Sequence, residues 1–399
     1  MLFDRLRTID TAEVAGKRVL VRVDLNVPMA DGKVTDTTRL KRIAPCLADL
    51  AQRGARVIVI SHLERPKGPD PRYTLRPIAE KLAEVLGRPV RFIGDCVGPV
   101  AEAGVAEVMP GDVAVLENLR FHKGEEANDA EFAKKLAALG DIYVGEAFSS
   151  SHRAHASTEG VTHHLPSYAG PLMAQEIGAL RRALDEPRRP TVAVVGGSKV
   201  STKIPILKNL VAQVDRLIIG GGMANTFLAA QGFGVGISLL EPELLDTARE
   251  ILNAAAIGGC TIVLPEDVVV ATALKAGVAT QVVRVSAVPA DHMILDVGPR
   301  AVAYMIAVLR ASKTLLWNGP LGAFEIAPFG EGTFALAREA ARLTKAGGIV
   351  SVAGGGDTVA ALNAAGVTDD FTYVSTAGGA FLEWLEGREL PGVAALLRA

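Results

Sequence analysis

Two α/β lobes, each a parallel β-sheet covered by helices, are the architecture this sequence predicts. Three observations carry the prediction: short β-rich apolar runs alternate with helix-length stretches, the alternation starts twice, and a polar, proline-containing segment separates the two series. The first series holds the runs 19–23, 55–60, 113–116 and 142–144, with helical stretches at 39–52, 75–86 and 129–139. The second holds the runs 191–195, 217–219, 261–264, 314–317 and 349–353. Between them, 172–184 reads as a helix, and 185–190 carries two prolines and four charges in six residues, the mark of a boundary. The expected organisation is a first lobe over 1–171, a helix and linker over 172–190, and a second lobe over 191–385, with helical capacity returning at 379–385.

A chain of 399 residues is too long for one ordinary core, which agrees with two lobes. Hydrophobic residues at 49% and charged residues at 22% exclude a disordered chain. The formal net charge of −2 supplies no field to gather nucleic acid or a membrane surface, so neither is an expected partner. Cys46, Cys96 and Cys260 are odd in number and lack metal-ligand spacing, so they read as buried thiols of a reducing compartment. The first ten residues have no apolar core and no window reaches 18 uninterrupted apolar residues, so the expected location is the cytoplasm.

In open α/β sheets ligands bind beyond the carboxyl ends of the strands, and there this sequence places its unusual residues. The ends of the first series lead to His62 and Arg65, to Arg120 and to Arg153, while Arg39 follows the capping run Thr35-Asp36-Thr37-Thr38. If these ends share an edge, four arginines and a histidine form a pocket for a small, multiply charged anion, because guanidinium forks match phosphate and carboxylate oxygens. His122, His155, His163 and His164 lack such placement, and no carboxylate or cysteine stands at ligand spacing from His163-His164.

Three strands of the second series run into glycine turns: Gly196-Gly197-Ser198-Lys199, Gly220-Gly221-Gly222 and Gly354-Gly355-Gly356-Asp357-Thr358. Each precedes a helix-like segment, so free N–H groups and the positive helix end suit phosphate. None fits the P-loop pattern or G-x-G-x-x-G. Lys199 and Lys203 lie four apart and share a face if that segment is helical. Asp357 suits either Mg²⁺ on nucleotide phosphates or a helix N-cap, and Glu325, after Trp317-Asn318-Gly319-Pro320, suits ribose hydroxyls.

With these residues in view, the chain resembles the phosphoglycerate kinases along nearly its whole length. The resemblance is carried by 22–28, 61–68, 116–129, 152–158, 196–204, 220–227, 317–325, 354–358 and 375–391. It implies two Rossmann-like lobes about a hinge helix, a tail near 386–399 that returns to the first lobe, and a monomer. It implies reversible phosphoryl transfer between ATP and the carboxylate of 3-phosphoglycerate, giving ADP and 1,3-bisphosphoglycerate, in glycolysis and gluconeogenesis, with Mg²⁺. By resemblance Asp24, Asn26, Arg39, His62, Arg65, Arg120 and Arg153 hold the phosphoglycerate. Lys203, Asn318, Glu325, Gly355, Gly356, Asp357 and Thr358 would hold Mg-ATP, with the metal on Asp357. Arg39, Lys199, Lys203 and the turn at Gly378 and Gly379 would steady the moving phosphoryl group.

The chain departs from the family pattern at several points. Glu64 stands for a glycine, Glu146 for an aspartate, 149–151 for Gly-Thr-Ala, Ser198 and Thr202 for alanine and aspartate, and Ala377 for a glycine. Glu64 is expected to adopt an ordinary backbone angle and to point outward, paired with a cation such as Lys67. The chemistry implied needs no general base, since the nucleophile is a carboxylate already ionised at neutral pH. Its barrier is the approach of an anion to a polyanion, and the water-sensitive acyl phosphate favours a site that closes around both ligands.

Overall fold

The computed structural model describes residues 6–398. They form two compact units, one of residues up to Ile177 together with those from Glu389 onward, the other Gly178–Arg388. The division falls inside the helix Pro171–Leu180, which runs on as a π-helical turn, Arg181–Asp185.

The first unit is built on a six-stranded parallel sheet in the order Val90–Ile93, Val113–Leu116, Arg56–Ile60, Arg18–Arg22, Ile142–Gly145, Ser167–Ala169. Its central strands are runs of Val and Ile buried on both faces, as helix-covered parallel strands require. Val90–Ile93 and Ser167–Ala169 are the edges, three or four residues long and interrupted by Arg91 or opened by Ser167, so no continuous apolar run announces them. Strand order reverses beside Arg18–Arg22, which makes the carboxyl end of that strand a crevice. The helix Thr38–Gln52 buries Leu40, Ile43, Leu47 and Leu50 on one stripe, each stabilising by about 1.5–3 kcal/mol. Its first turn brings Arg39 to that same edge.

The second unit also carries a six-stranded parallel sheet: Thr261–Val263, Arg216–Ile219, Thr191–Val195, Thr314–Asn318, Val350–Gly354, Tyr373–Ser375. In chain order this is 3-2-1-4-5-6, so the reversal lies between Thr191–Val195 and Thr314–Asn318. Beside it stands an antiparallel sheet of Gln281–Arg284, Asp267–Ala271 and Met293–Val297. The sequence reading anticipated only parallel units. Its outermost strand, Gln281–Arg284, is largely exposed and has no apolar run to betray it.

The closing helix, Pro391–Arg398, belongs to the first unit: Gly392 N–H donates to Ser151 O at 2.8 Å, and Leu396 packs against Gly145. No described helix is long and apolar enough to cross a membrane.

Candidate active site

Arg22 stands opposite both Ile60 and Gly145, so three neighbouring strands of the first unit end level. Asp24, His62 and the segment carrying Arg153 leave from this edge. Arg39 reaches it from its helix, donating through Nη1 to Asp24 Oδ2 at 2.9 Å and to Asn26 O at 2.7 Å. Asp24 is held in turn by Ser149 Oγ, at 2.6 Å, and by Asn26 N–H, at 2.9 Å. Asn26 Oδ1 accepts from Glu64 N–H at 3.0 Å, and Arg120 Nη1 donates to Glu64 O at 2.5 Å. One network thus joins Asp24, Asn26 and Arg39 to the loop after His62 and to Arg120. Arg65 is exposed in that loop and makes no hydrogen bond among the described residues, while Arg153 donates through Nε to His152 Nε2 at 3.2 Å.

Burial and neighbouring guanidinium groups together disfavour positive charge on the histidines of this edge. His62 is held well below the ordinary histidine range, first by burial and then by Arg22 and Arg120. His155 is pulled down to about 4 by burial, then by Arg120, Arg22 and Arg153. Burial, with Arg22 and Arg153, also lowers Arg120 against the pull of Glu126. Arg22, which the sequence reading left in its strand, supplies much of this field. Its side chain is buried, and Nη2 meets His62 Nδ1 at 2.9 Å. A guanidinium only donates, so Nδ1 accepts and the ring proton sits on Nε2. Arg22 Nε donates to Ser157 Oγ at 2.9 Å, which donates to the buried Glu125 at 2.6 Å. The available signal was Arg22 closing the strand Arg18–Arg22 directly before Val23, an arginine between apolar residues.

In the second unit the glycine turns meet one another backbone to backbone. Gly196 N–H donates to Asn318 O at 2.9 Å and Gly221 N–H to Leu321 O at 2.8 Å. Lys203 Nζ donates to Asn318 Oδ1, Asn318 Nδ2 donates to Gly354 O at 2.7 Å, and Gly319 N–H donates to Thr358 Oγ1 at 2.7 Å. Asn318 and Thr358 therefore fasten the turns to each other. Lys203 is lowered by burial, opposed by Asp357 and Glu386. Residues 199–203 form turns, and Lys203 precedes the helix Ile204–Leu210, so the four-residue spacing of Lys199 and Lys203 does not make a helical face.

Asp357 lies exposed in the first turn of the helix Gly356–Ala365, whose N-cap is Gly355, and among the described residues it caps no backbone N–H. A cavity of about 550 Å³ runs from Gly197 and Asp357 to Glu325, walled by Leu239, Met293 and Val297. The antiparallel sheet missed from sequence supplies part of that wall. Gly378 opens the helix Gly378–Leu385, with Gly379 exposed beside it.

The family profile described as phosphoglycerate kinase matches residues 9–388. The chain belongs to the phosphoglycerate kinase family. It is 60% identical to the phosphoglycerate kinase of Rhizobium leguminosarum bv. trifolii over 388 residues, 97% of each chain. It is 60% identical to that of Methylorubrum extorquens strain PA1 over 392 residues, 98% of each. Among solved structures, the phosphoglycerate kinase of Coxiella burnetii superposes with a TM-score of 0.93 at 44% identity, covering 98% of this chain and 99% of that one.

Glu64 corrects one expectation. Its φ is 52°, in the left-handed region that suits the family's glycine, because the loop must present Glu64 N–H to Asn26 and Glu64 O to Arg120. The side chain is exposed and forms no ion pair with Lys67 among the described residues. Glu64→Gly is expected to raise stability by about 1 kcal/mol and to change the KM for 3-phosphoglycerate less than about tenfold. Denaturant unfolding and initial rates check both, and a hundredfold fall in KM would place the carboxylate against the bound anion.

Proposed function

We infer that this chain catalyses reversible phosphoryl transfer between ATP and the carboxylate of 3-phosphoglycerate, the first unit holding the phosphoglycerate and the second the nucleotide. The single observation that carries the assignment of the first unit is the convergence of guanidinium groups at its strand ends, where Arg39 and Arg120 share one hydrogen-bond network with Asp24, Asn26 and the loop after His62, and Arg22 meets His62 itself. Arg39, Arg65, Arg120 and Arg153 then take phosphate and carboxylate oxygens, His62 donates from Nε2, and Asp24 and Asn26 hold Arg39 in place. In the second unit the open approaches at Gly356 and Gly378 suit phosphate oxygens, the cavity suits an apolar base, and Glu325 suits the ribose. Gly355 and Thr358 set the turn, and Lys203, oriented by Asn318, together with Lys199 and the Gly378-Gly379 turn, neutralises the phosphoryl group in flight.

A single exposed carboxylate fits Mg²⁺, which keeps several waters and takes one or two carboxylates beside substrate phosphates. Asp357 would hold it, and when bound the ion neutralises phosphate charge. The substrate carboxylate attacks the terminal phosphorus of ATP, the phosphorus–oxygen bond to ADP breaks, and an acyl phosphate forms without proton transfer. Asp357→Asn is expected to raise the KM for Mg-ATP about tenfold and leave that for 3-phosphoglycerate unchanged, as steady-state rates in a dehydrogenase-coupled assay will read. Normal saturation with Mg-ATP would remove the metal role.

The helix Pro171–Leu180 is the proposed hinge. Small-angle scattering should then give the smallest radius of gyration with an ATP analogue and 3-phosphoglycerate together, and a value unchanged from the free protein would exclude it. We also infer a cytoplasmic monomer that binds neither nucleic acid nor membrane, supported by the net charge of −2 and checked by sedimentation.

A further inference from the structure

Beyond the residues assigned to the two ligands, the fold joins three side chains that are far apart in the sequence or carry no ligand spacing. Asp95, Cys96 and His122 each offer one donor atom, and the three donors lie within 4.8 Å of one another. Asp95 Oδ1 already meets His122 Nε2 at 2.7 Å. Cys96 is buried, while Asp95 and His122 are each about one-third exposed at the side chain, 36% and 34%. Spacing along the chain hid the group: His122 lies 26 residues beyond Cys96, past the strand Val113–Leu116 and the 3₁₀ turn Leu119–Phe121.

We propose that Asp95, Cys96 and His122 form a binding site for a borderline-soft divalent cation of the zinc class. One sulfur, one imidazole nitrogen and one carboxylate oxygen are the donor set zinc prefers, and a poor one for magnesium or calcium. Donors on one tetrahedral zinc stand roughly 3.3–3.8 Å apart, given bonds of about 2.0–2.3 Å. The carboxylate and imidazole must part by less than about 1 Å and close on the sulfur by a similar amount, movements open to the partly exposed Asp95 and His122 side chains while the buried Cys96 stays in place. Binding replaces the hydrogen bond between Asp95 and His122 and releases one proton per ion, from the thiol of Cys96, with neutral His122 moving its proton to Nδ1.

The surroundings favour the cation. Asp95, Glu125 and Glu117 bring carboxylates near the Cys96 sulfur. The same carboxylates attract a dication. Three protein donors leave a fourth position for water. His122 also lines a cavity of about 770 Å³ with Gly98, Glu102, Lys123 and Asp129, so one face of the imidazole is open to solvent.

Cobalt(II) titrated into the full-length protein, freed of metal by chelator, tests the site. The expected result is one ion bound per chain, a sulfur-to-cobalt charge-transfer band, tetrahedral ligand-field bands, displacement by zinc, and one proton released. Cys96→Ser should abolish the charge-transfer band, His122→Ala should weaken cobalt binding at least about tenfold, and Cys46→Ser and Cys260→Ser should change neither. Should Cys96→Ser fail to fold, the affinity of His122→Ala, altered at a partly exposed side chain, decides alone. Absence of the band with equimolar cobalt, its survival in Cys96→Ser, or undiminished affinity in His122→Ala would overturn the proposal.

Discussion

Replacing Arg39 by lysine is expected to lower kcat by about 10²–10³ while leaving the melting temperature nearly unchanged. The reason lies in how the guanidinium is already occupied. Nη1 bonds Asp24 and the carbonyl of Asn26, and in the proposed function the rest of the fork meets substrate. An ammonium can keep one or two of these contacts, and it cannot present a planar fork to an oxygen while bonding Asp24. The residue is partly exposed, so its ion pair with Asp24 contributes little to folding. Steady-state kinetics and calorimetry on the purified variant check the split. Unchanged turnover would assign Arg39 to the helix start alone, and a rise confined to KM would assign it to binding without a role in the transition state.

Gly196→Ala is expected to destabilise the protein by about 3 kcal/mol or more and to abolish ATP turnover. A Cβ at Gly196 would stand 1.8 Å from the carbonyl oxygen of Pro320, and one at Gly319, where φ is 99°, would stand 2.1 Å from the carbonyl of Gly196. Two backbone turns at the point where strand order reverses are in contact, and neither can retreat without losing its hydrogen bonds. For a unit of this size the melting temperature should fall by roughly 10 °C. Gly356→Ala is the informative partner. A Cβ there meets nothing within 4 Å, so the fold should tolerate it, and only a bound phosphate would feel the methyl. A KM for Mg-ATP raised at least about tenfold with unchanged melting is the expected result. Full ATP use by Gly356→Ala would mean that phosphate does not approach that turn.

These two glycines show what the sequence disclosed and what it withheld. That glycine turns follow strands was legible from composition and order, and so was the phosphate reading. Which glycines serve packing and which face open space depends on contacts between turns more than 100 residues apart, such as Gly196 with Pro320. The cationic edge of the first unit was legible because Arg39, His62, Arg120 and Arg153 each follow a strand or open a helix. Arg22 and Glu125 were not, because a buried charge is recognised by its partners, and those partners come from distant segments. Edge strands escaped for a simpler reason: three or four residues long and broken by polar residues, they carry no apolar run to read. Glu64 was misjudged because side-chain chemistry says nothing about a backbone angle set by Asn26 and Arg120.

The closing helix has a consequence for the newborn chain. The second unit is one continuous stretch, Gly178–Arg388, complete as soon as it leaves the ribosome. The first unit begins earlier and is finished last, since Pro391–Arg398 must return to Ser151 and Gly145. During synthesis the arginine-bearing strand ends therefore exist before the helix that braces the segment carrying Arg153. A chain halted after Arg388 would hold the whole second unit and a first unit without the helix Pro391–Arg398, so the first unit is braced only after the second has been made.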